Sequence, residues 1–370
     1  MISKKIKIVV TGANGFLAKN LILSLNEKKI FKIYKIFRKT NYALLKKALI
    51  SSDFIFHLAS ENRSNKKYLF FKNNYQFTKK ICKILNLHQI RSPIFFASST
   101  QVNLNNIYAR TKKKAEKIIL DHARTNRIKV SILRLPNIFG KWSKPDYNSF
   151  VSTLCYRIPR NKKFLLKNKI LKLVYIDDVV SKLISLLKKK NVNKYEKVQP
   201  CYKVSVKKIF DLINKFNSID LNFFSDNLSY GFEKKLYSTF LTFLPKSRWT
   251  YKSKVYKDHR GQFSEFLKTK NSGQISSFSI RPNKTRGEHY HQTKNEVFLI
   301  LKGRVKILFK HILTKKKYSF TIDANDNIIF KSIPGWAHSI KNITSNDVLG
   351  IIWANEIFNF NKPDTVKFKL

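Results

Sequence analysis

Two rhythms of apolar and polar positions divide the chain. Up to about residue 245, short apolar runs alternate with longer segments whose apolar positions recur every three or four residues. Beyond it, short runs of alternating polarity follow one another with turns between them. In the first part Ile6-Lys7-Ile8-Val9-Val10, residues 32–37, residues 53–59 and residues 93–100 read as strands. Helical spacing runs from Phe16 through Leu25, and again from Tyr108 through Leu120, with a helix carrying Asn74 between them. Strand and helix in alternation predict an α/β architecture, a Rossmann-like doubly wound parallel sheet. Residues 204–216 form one more amphipathic segment, read as plain core packing. In the second part residues 274–280, 297–301, 305–309, 328–330 and 348–353 read as strands of a C-terminal all-β barrel. The break is placed at Pro245-Lys246-Ser247, giving domains 1–245 and 246–370.

Composition narrows the class. With 370 residues, 43% of them apolar and 14% aromatic, the chain can bury two cores and is not disordered. No apolar run approaches the ~20 residues of a membrane span, so no membrane insertion is expected. Met1 to Lys5 lead straight into a strand and a glycine turn, unlike a cleavable signal. Cys82, Cys155 and Cys201, odd in number and far apart, suit reduced thiols in a cytoplasm. The formal charge of +52 has a bold reading, polyanion binding. The cations are scattered, however, and no nucleic-acid-binding signature accompanies them. Compositional drift is the favoured reading, with nonspecific polyanion binding at low salt and no specific nucleic-acid partner.

Candidate chemistry in the first part starts at the turn after the first strand. Thr11-Gly12-Ala13-Asn14-Gly15-Phe16-Leu17-Ala18 joins a strand to a helix N-terminus, where backbone N–H groups and the helix dipole favour a pyrophosphate. Arg38 and Lys39 end the second strand where an acidic residue would favour NAD, so a 2′-phosphate and hence NADP(H) is expected. Leu58 and Ala59 end the next strand beside the cofactor, and His57 reads as a packing and backbone-positioning residue. Tyr108 and Lys112 are four apart, on one helix face, nine residues after Ser99. A nearby ammonium and an oxidised nicotinamide would both lower the phenol from its reference pKa of ~10, so Tyr108 could exchange a proton with a sugar oxygen. Ser99 would hydrogen-bond that oxygen.

These residues, with Tyr175-Ile176-Asp177-Asp178-Val179, resemble the extended short-chain dehydrogenase/reductase family over roughly residues 5–245. The resemblance implies Gly12, Gly15 and Ala18 as the glycine motif and Ser99, Tyr108 and Lys112 as the catalytic triad. Arg134 to Gly140, including Pro136, would pass the nicotinamide, and Lys141-Trp142 would begin the substrate wall. Asn14, Phe16 and Leu17 complete the candidate cofactor loop. The gap from Ser99 to Tyr108 is short for the family.

The second part holds the densest set of metal-ligand residues, between Gly287 and Asn342. His289 and His291 share a face if extended, and the polar run after them lets Glu296 re-enter from the next strand. His338 follows in Pro334-Gly335-Trp336-Ala337-His338. Three imidazoles and a carboxylate suit one divalent first-row ion, zinc by preference, with positions open for water or substrate. The spacing resembles the two signature motifs of the cupin family, small β-barrels holding a metal between two sheets. Arg260, in Asp258-His259-Arg260-Gly261, reads equally as a phosphate clamp or a surface ion pair.

A reductase followed by a metal cupin resembles the bifunctional epimerase/reductases of capsule and O-antigen synthesis, near end to end. Phe139 to Trp142, Lys144-Pro145, Tyr147-Asn148-Ser149, Asp258 to Phe266, His289 to Glu296, Trp353-Ala354-Asn355-Glu356 and Lys362-Pro363-Asp364-Thr365 carry that likeness. It implies a UDP-sugar substrate, C3 epimerisation of a UDP-4-keto-6-deoxy-hexosamine by the cupin half, and C4 reduction with NADPH. The product would be UDP-2-acetamido-2,6-dideoxy-L-talose, towards UDP-N-acetyl-L-fucosamine; a homodimer is also implied. The side chain that moves the C3 proton is not readable; Tyr290 and Lys302 are guesses. Rival readings are an NAD-dependent sugar dehydratase or epimerase with a merely sugar-binding cupin, and a polybasic binding protein. Thr100 and Gln101 stand after Ser99 where a dehydratase would place an acid, which disfavours the first.

Overall fold

The computed structural model describes residues 5–166, 169–188, 194–218, 223–224, 228–269, 271–359 and 361–370. Two compact units result: Met1–Asn214 with Lys235–Pro245, and Lys215–Lys234 with Lys246–Leu370.

The first unit is built on parallel strands β1 (Ile6–Thr11), β2 (Phe31–Ile36), β3 (Phe54–His57), β4 (Ile94–Ser99) and β5 (Val130–Leu135). Their spatial order is β2-β1-β3-β4-β5, with the two-residue strand Tyr195–Glu196 outside β5. Alternate side chains serve opposite faces. Ile8, Val10, Phe56, Phe95 and Leu133 pack with Leu21 and Leu25 of helix Phe16–Glu27 and with Val179, Leu183 and Leu186 of helix Ile176–Lys188. Val9, Ile55, Ile94, Phe96 and Ile132 pack with Leu45 and Leu49, Ile81 and Leu85, and Ala115 and Ile119 from three helices of the other face. Burial on both sides explains why these strands read as continuous apolar runs; each such side chain contributes about 1.5–3 kcal/mol. The chain reverses its direction of winding between β1 and β3, and the carboxyl ends of those strands frame the crevice where doubly wound sheets bind ligands.

Helix Ile107–Asn126 runs six residues further than its apolar spacing requires. Asn74 sits in a π-helical turn, Phe71–Gln76, between helices Lys67–Phe70 and Phe77–Leu87.

In the second unit two sheets face each other. One comprises Phe223–Phe224, Gly261–Thr269, Gly273–Ile280, Val348–Ala354, Glu296–Lys302 and Ile329–Lys331 in that order, with Val255–Asp258 paired to the second of them. The other runs Lys317–Asp323, Arg304–His311, Trp336–Asn342, Thr285–Tyr290, Val366–Lys367. All pairings are antiparallel except Phe223–Phe224 with Gly261–Thr269. Phe278, Ile280, Phe298 and Ile300 from the first sheet meet Val305, Ile307, Ile322 and Ile340 from the second in one core.

Candidate active sites

In the first unit the turn after β1 depends on Gly12, whose φ is +68°. A Cβ there would stand 2.8 Å from the Ala59 Cα. Helix Phe16–Glu27 begins at Gly15 with no side-chain cap and no acidic residue in its first turn. Its leading N–H groups, with Asn14 and Gly15 exposed beside them and Phe16 and Leu17 part-buried, are thus available to an anion. These features fit a dinucleotide pyrophosphate.

Beneath this loop runs a buried chain of hydrogen bonds. The Thr11 hydroxyl accepts the N–H groups of Leu58 and Ala59, 3.1 Å each, and lies 2.8 Å from His57 Nδ1. The Thr78 hydroxyl donates to the Asn74 carbonyl at 2.6 Å, so at 2.9 Å it accepts from His57 Nε2–H. Nδ1 is therefore the acceptor for Thr11. Burial, helped by the Lys112 charge, pulls the His57 pKa down to about 3 and keeps the ring neutral. His57 holds Leu58 and Ala59 in place and is closed off from acid–base work.

Arg38 donates to Glu61 at 2.9 Å; its side chain is 70% exposed while that of Glu61 is 8% exposed. Glu61 also accepts from Asn73 and is fixed through its backbone by Asn74. Glu61 carried no signal in the sequence, since nothing local marks it.

Ser99 ends β4, and a 3-10 turn, Thr100–Asn103, spans the short gap to the helix carrying Tyr108 and Lys112. The Tyr108 hydroxyl lies near the Ser99 and Ser60 side chains, and its ring meets Phe70 edge-on. Lys112, 1% exposed, donates to the Ala97 carbonyl at 2.5 Å and lies over the Phe96 ring. One turn on, the buried Glu116 accepts from Ser98 and from two nitrogens of Arg134, at 3.1 and 2.7 Å, tying the helix to β4 and β5. Pro136 follows β5 directly.

The lowered phenol expected beside an ammonium and an oxidised nicotinamide is not the state of the cofactor-free chain. Burial raises the Tyr108 pKa above its ordinary value, and the bonds to Ser99 and Ser60 only oppose it. Burial also pulls the Lys112 ammonium down to about 7, against the Glu116 charge. Lys112 is therefore only partly charged near neutral pH, which reduces the support the chain gives a phenolate.

In the second unit His289, His291, Glu296 and His338 converge, their ligand atoms all within 4.8 Å of one another. His289 and His338 are paired neighbours on one sheet, whereas Glu296 opens a strand of the other. Gly287, at φ +91°, and Glu288, at φ +60°, form the bulge that aims His289; a Cβ on Gly287 would stand 2.6 Å from the His338 carbonyl oxygen. His291 lies just beyond the strand, which ends at Tyr290, so the shared-strand expectation for the two histidines is replaced by a strand and a loop. The Asp364 carbonyl accepts from His291 Nδ1 at 2.5 Å, and the Asp364 carboxylate accepts the N–H groups of Gln292, Thr293 and Lys294. Burial works against that carboxylate, yet these N–H bonds hold it well below the usual range.

With Nδ1–H of His291 committed to Asp364, its Nε2 stands 3.0 Å from the Glu296 Oε2. His338 Nε2 and His289 Nε2 stand 3.6 and 4.0 Å from the same oxygen, and buried His289 Nε2 has no hydrogen-bond partner. Burial tends to raise the Glu296 carboxyl, but the three rings and the Lys294 charge outweigh it and keep it well below the usual range. Three imidazoles and one carboxylate, their ligand atoms gathered at one point, fit a divalent cation. A cavity of about 350 Å³ opens on the cluster, lined also by Lys294, Arg260, Arg286 and Glu265. Tyr290 and Lys302 are not among its walls: Tyr290 packs on Phe368, and Lys302 is exposed at the far end of its strand.

The profile of the NAD-dependent epimerase/dehydratase family matches residues 8–199, and that of the polysaccharide biosynthesis C-terminal domain matches residues 256–366. The chain is 36% identical to a UDP-2-acetamido-2,6-beta-L-arabino-hexul-4-ose reductase of Pseudomonas aeruginosa, over 97% of both chains. This chain belongs to the NAD-dependent epimerase/dehydratase family. Among solved structures, the capsular polysaccharide assembling protein CapF of Staphylococcus aureus superimposes with a TM-score of 0.92 at 34% identity, over 99% of this chain and all of the other. The UDP-glucose 4-epimerase of Thermotoga maritima, at 16% identity and a TM-score of 0.55 over 64% of this chain, shares the fold alone. A nicotinamide cofactor goes with the family, and the reductase relative places the chain among oxidoreductases. No helix among the described residues is long and apolar enough to cross a membrane.

Proposed function

We propose that the chain is a bifunctional nucleotide-sugar enzyme with two active centres. The second unit, a zinc-binding cupin barrel, epimerises C3 of a UDP-4-keto-6-deoxy-L-hexosamine. The first unit reduces the C4 ketone of the epimer with NADPH. The product is UDP-2-acetamido-2,6-dideoxy-L-talose, on the way to UDP-N-acetyl-L-fucosamine for surface polysaccharide, and the working form is a cytoplasmic homodimer. The observation that carries this reading is the cluster of four metal-type ligands in its own cavity, in a chain whose other unit holds Ser99, Tyr108 and Lys112 at the end of a parallel sheet. The reductase of Pseudomonas aeruginosa and the capsular polysaccharide assembling protein CapF of Staphylococcus aureus, both similar over nearly the whole chain, agree with it.

In the reductase centre Ser99 and Tyr108 hydrogen-bond the C4 carbonyl oxygen, and Tyr108 delivers its proton there. Its raised pKa keeps the phenol protonated at neutral pH, the form needed to donate in the reducing direction. Lys112, poised near 7, holds the ribose side of the cofactor and can relay a proton back to the phenolate. Gly12, Asn14, Gly15, Phe16 and Leu17 would hold the pyrophosphate, Arg38 the 2′-phosphate, and Leu58, Ala59 and Pro136 the walls. The nicotinamide, when bound, supplies hydride to C4. In the cupin centre His289, His291, Glu296 and His338 would hold the ion, with Asp364 fixing the His291 tautomer. The ion, when bound, polarises the ketone oxygen and so makes the C3 proton acidic.

The test is turnover of purified protein on a UDP-4-keto-6-deoxy-hexosamine with NADPH or NADH, the product being identified by NMR. The proposal expects NADPH to be consumed with that substrate and not with 4-hydroxy UDP-sugars. Reduction without inversion at C3 would leave a plain reductase.

A further inference from the structure

Three loops of the first unit meet at the carboxyl edge of its sheet, because β2 and β3 flank β1. The glycine loop after β1 is tied to the end of β2, where Ala13 N–H donates to the Ile36 carbonyl at 3.1 Å. On its other side Gly12 packs against Ala59. Arg38 stands two residues past β2 and Glu61 two past Ala59, so a cation and a carboxylate from different loops meet beside the glycine turn. Glu61 is fixed without help from Arg38. The buried Asn74 accepts the Glu61 N–H at 2.7 Å and donates to its carbonyl at 3.2 Å, while Asn73 donates to Oε2 at 2.8 Å. Arg38 donates to that same Oε2, and its guanidinium has no second partner among the described residues. Glu61 Oε1 has no hydrogen-bond partner among them at all. A buried carboxylate with one oxygen left open is set to accept from a ligand, and the exposed Arg38 is free to turn away from it.

We propose that Arg38 and Glu61 form a two-way adenosine-ribose site, which lets the reductase centre take NADH as well as NADPH. With NADH, Glu61 Oε1 accepts the ribose 2′-hydroxyl while Arg38 stays on Oε2 and balances the carboxylate. With NADPH, Arg38 leaves for the 2′-phosphate, which its planar fork meets bidentately. An acid on this hydroxyl goes with NAD and an arginine nearby with NADP. This chain brings both to one place, the acid arriving from the loop after β3 rather than from the end of β2. The inference rests on the proposed reductase role of the first unit and widens the cofactor that role accepts. Two plainer roles compete with it: a solvated ion pair of little worth, or a Glu61 that only aims Arg38 at the phosphate.

The deciding experiment titrates the full-length protein with NADH and with NADPH, without sugar, and follows nicotinamide fluorescence. Wild-type dissociation constants are expected within about tenfold of each other, since each cofactor gains one charge-assisted contact. Glu61→Gln should weaken NADH about tenfold and leave NADPH unchanged or tighter, because the phosphate loses a repelling neighbour. Arg38→Ala should shift the preference the other way. NADH lacking the adenosine 2′-hydroxyl should bind the wild type about tenfold less tightly than NADH, a readout that needs no variant to fold. An aiming role gives the opposite sign, with Glu61→Gln weakening NADPH more than NADH, and a solvated pair leaves both within about twofold. Either result overturns the assignment, as does a wild type that favours NADPH more than about a hundredfold. Binding needs no turnover, so a chain that binds both cofactors but reduces no 4-keto sugar would refute the proposed function and leave this site standing.

Discussion

Lys112→Met should stabilise the first unit while abolishing its reductase activity, and the gain should depend on pH. Lys112 is 1% exposed and its pKa falls from 10.5 to about 7 on folding. Between those values the unfolded chain binds a proton that the folded chain has released, so stability rises with pH across that window. Below pH 7 the folded protein carries the buried ammonium at its full cost, about 5 kcal/mol by linkage. At pH 9 about 2 kcal/mol remains, so roughly 3 kcal/mol is relieved between pH 6 and pH 9. The substitution forfeits one hydrogen bond to the Ala97 carbonyl and a contact with the Phe96 ring, together about 1–2 kcal/mol. The net gain is then about 3–4 kcal/mol at pH 6 and near zero at pH 9. For a unit of this size that is roughly a 10 °C rise in Tm at pH 6. Calorimetry of cofactor-free protein at the two pH values reads it, and the wild-type minus variant difference cancels other titrating groups. A variant less stable than wild type at pH 6, or one equally stabilised at both pH values, would refute the reasoning.

Three other outcomes follow from the geometry. Gly12→Ala forces a methyl to 2.8 Å from the Ala59 Cα at φ +68°, so it should weaken NADPH binding and cost about 1–3 kcal/mol of stability, read by cofactor titration and Tm. Chelator treatment should lower the Tm of the second unit, because it withdraws a ligand bound only by the folded state, and added zinc should restore it; an unchanged Tm would deny a resident ion. Arg38→Ala, which also removes the pair with Glu61, should raise the KM for NADPH at least about tenfold and that for NADH no more than about twofold, as the proposed 2′-phosphate contact requires.

Much of this was written in local pattern, and the rest was not for identifiable reasons. The glycine turn, the Ser99–Tyr108–Lys112 spacing and the four metal-type ligands each sit in short contiguous motifs. Several strands did not stand out. Lys317–Asp323 alternates Tyr318, Phe320 and Ile322 but opens with Lys317 in a lysine run, and Thr285–Tyr290 is broken by the Gly287–Glu288 bulge. Phe223–Phe224 joins the second unit from a position before Pro245, a pairing of distant segments that periodicity cannot show. Roles that depend on distant partners were likewise hidden. Asp364 grips the His291 loop from more than 70 residues away, Glu61 finds Arg38, and Arg286 is one of 74 cations until folding sets it beside Asp258. In the cofactor-free chain the Tyr108 shift runs upward, because spacing reports the neighbouring Lys112 but not the burial of both groups.

The account stands on two separable centres in one chain, and incubation of zinc-loaded Tyr108→Phe protein with the 4-keto sugar nucleotide in D₂O, without NADPH, tests that most directly. Proton NMR should show deuterium entering at C3 at the wild-type rate although reduction is lost, and His291→Ala should show the opposite pair of results. No deuterium at C3 in the metal-loaded wild-type protein would contradict the claim.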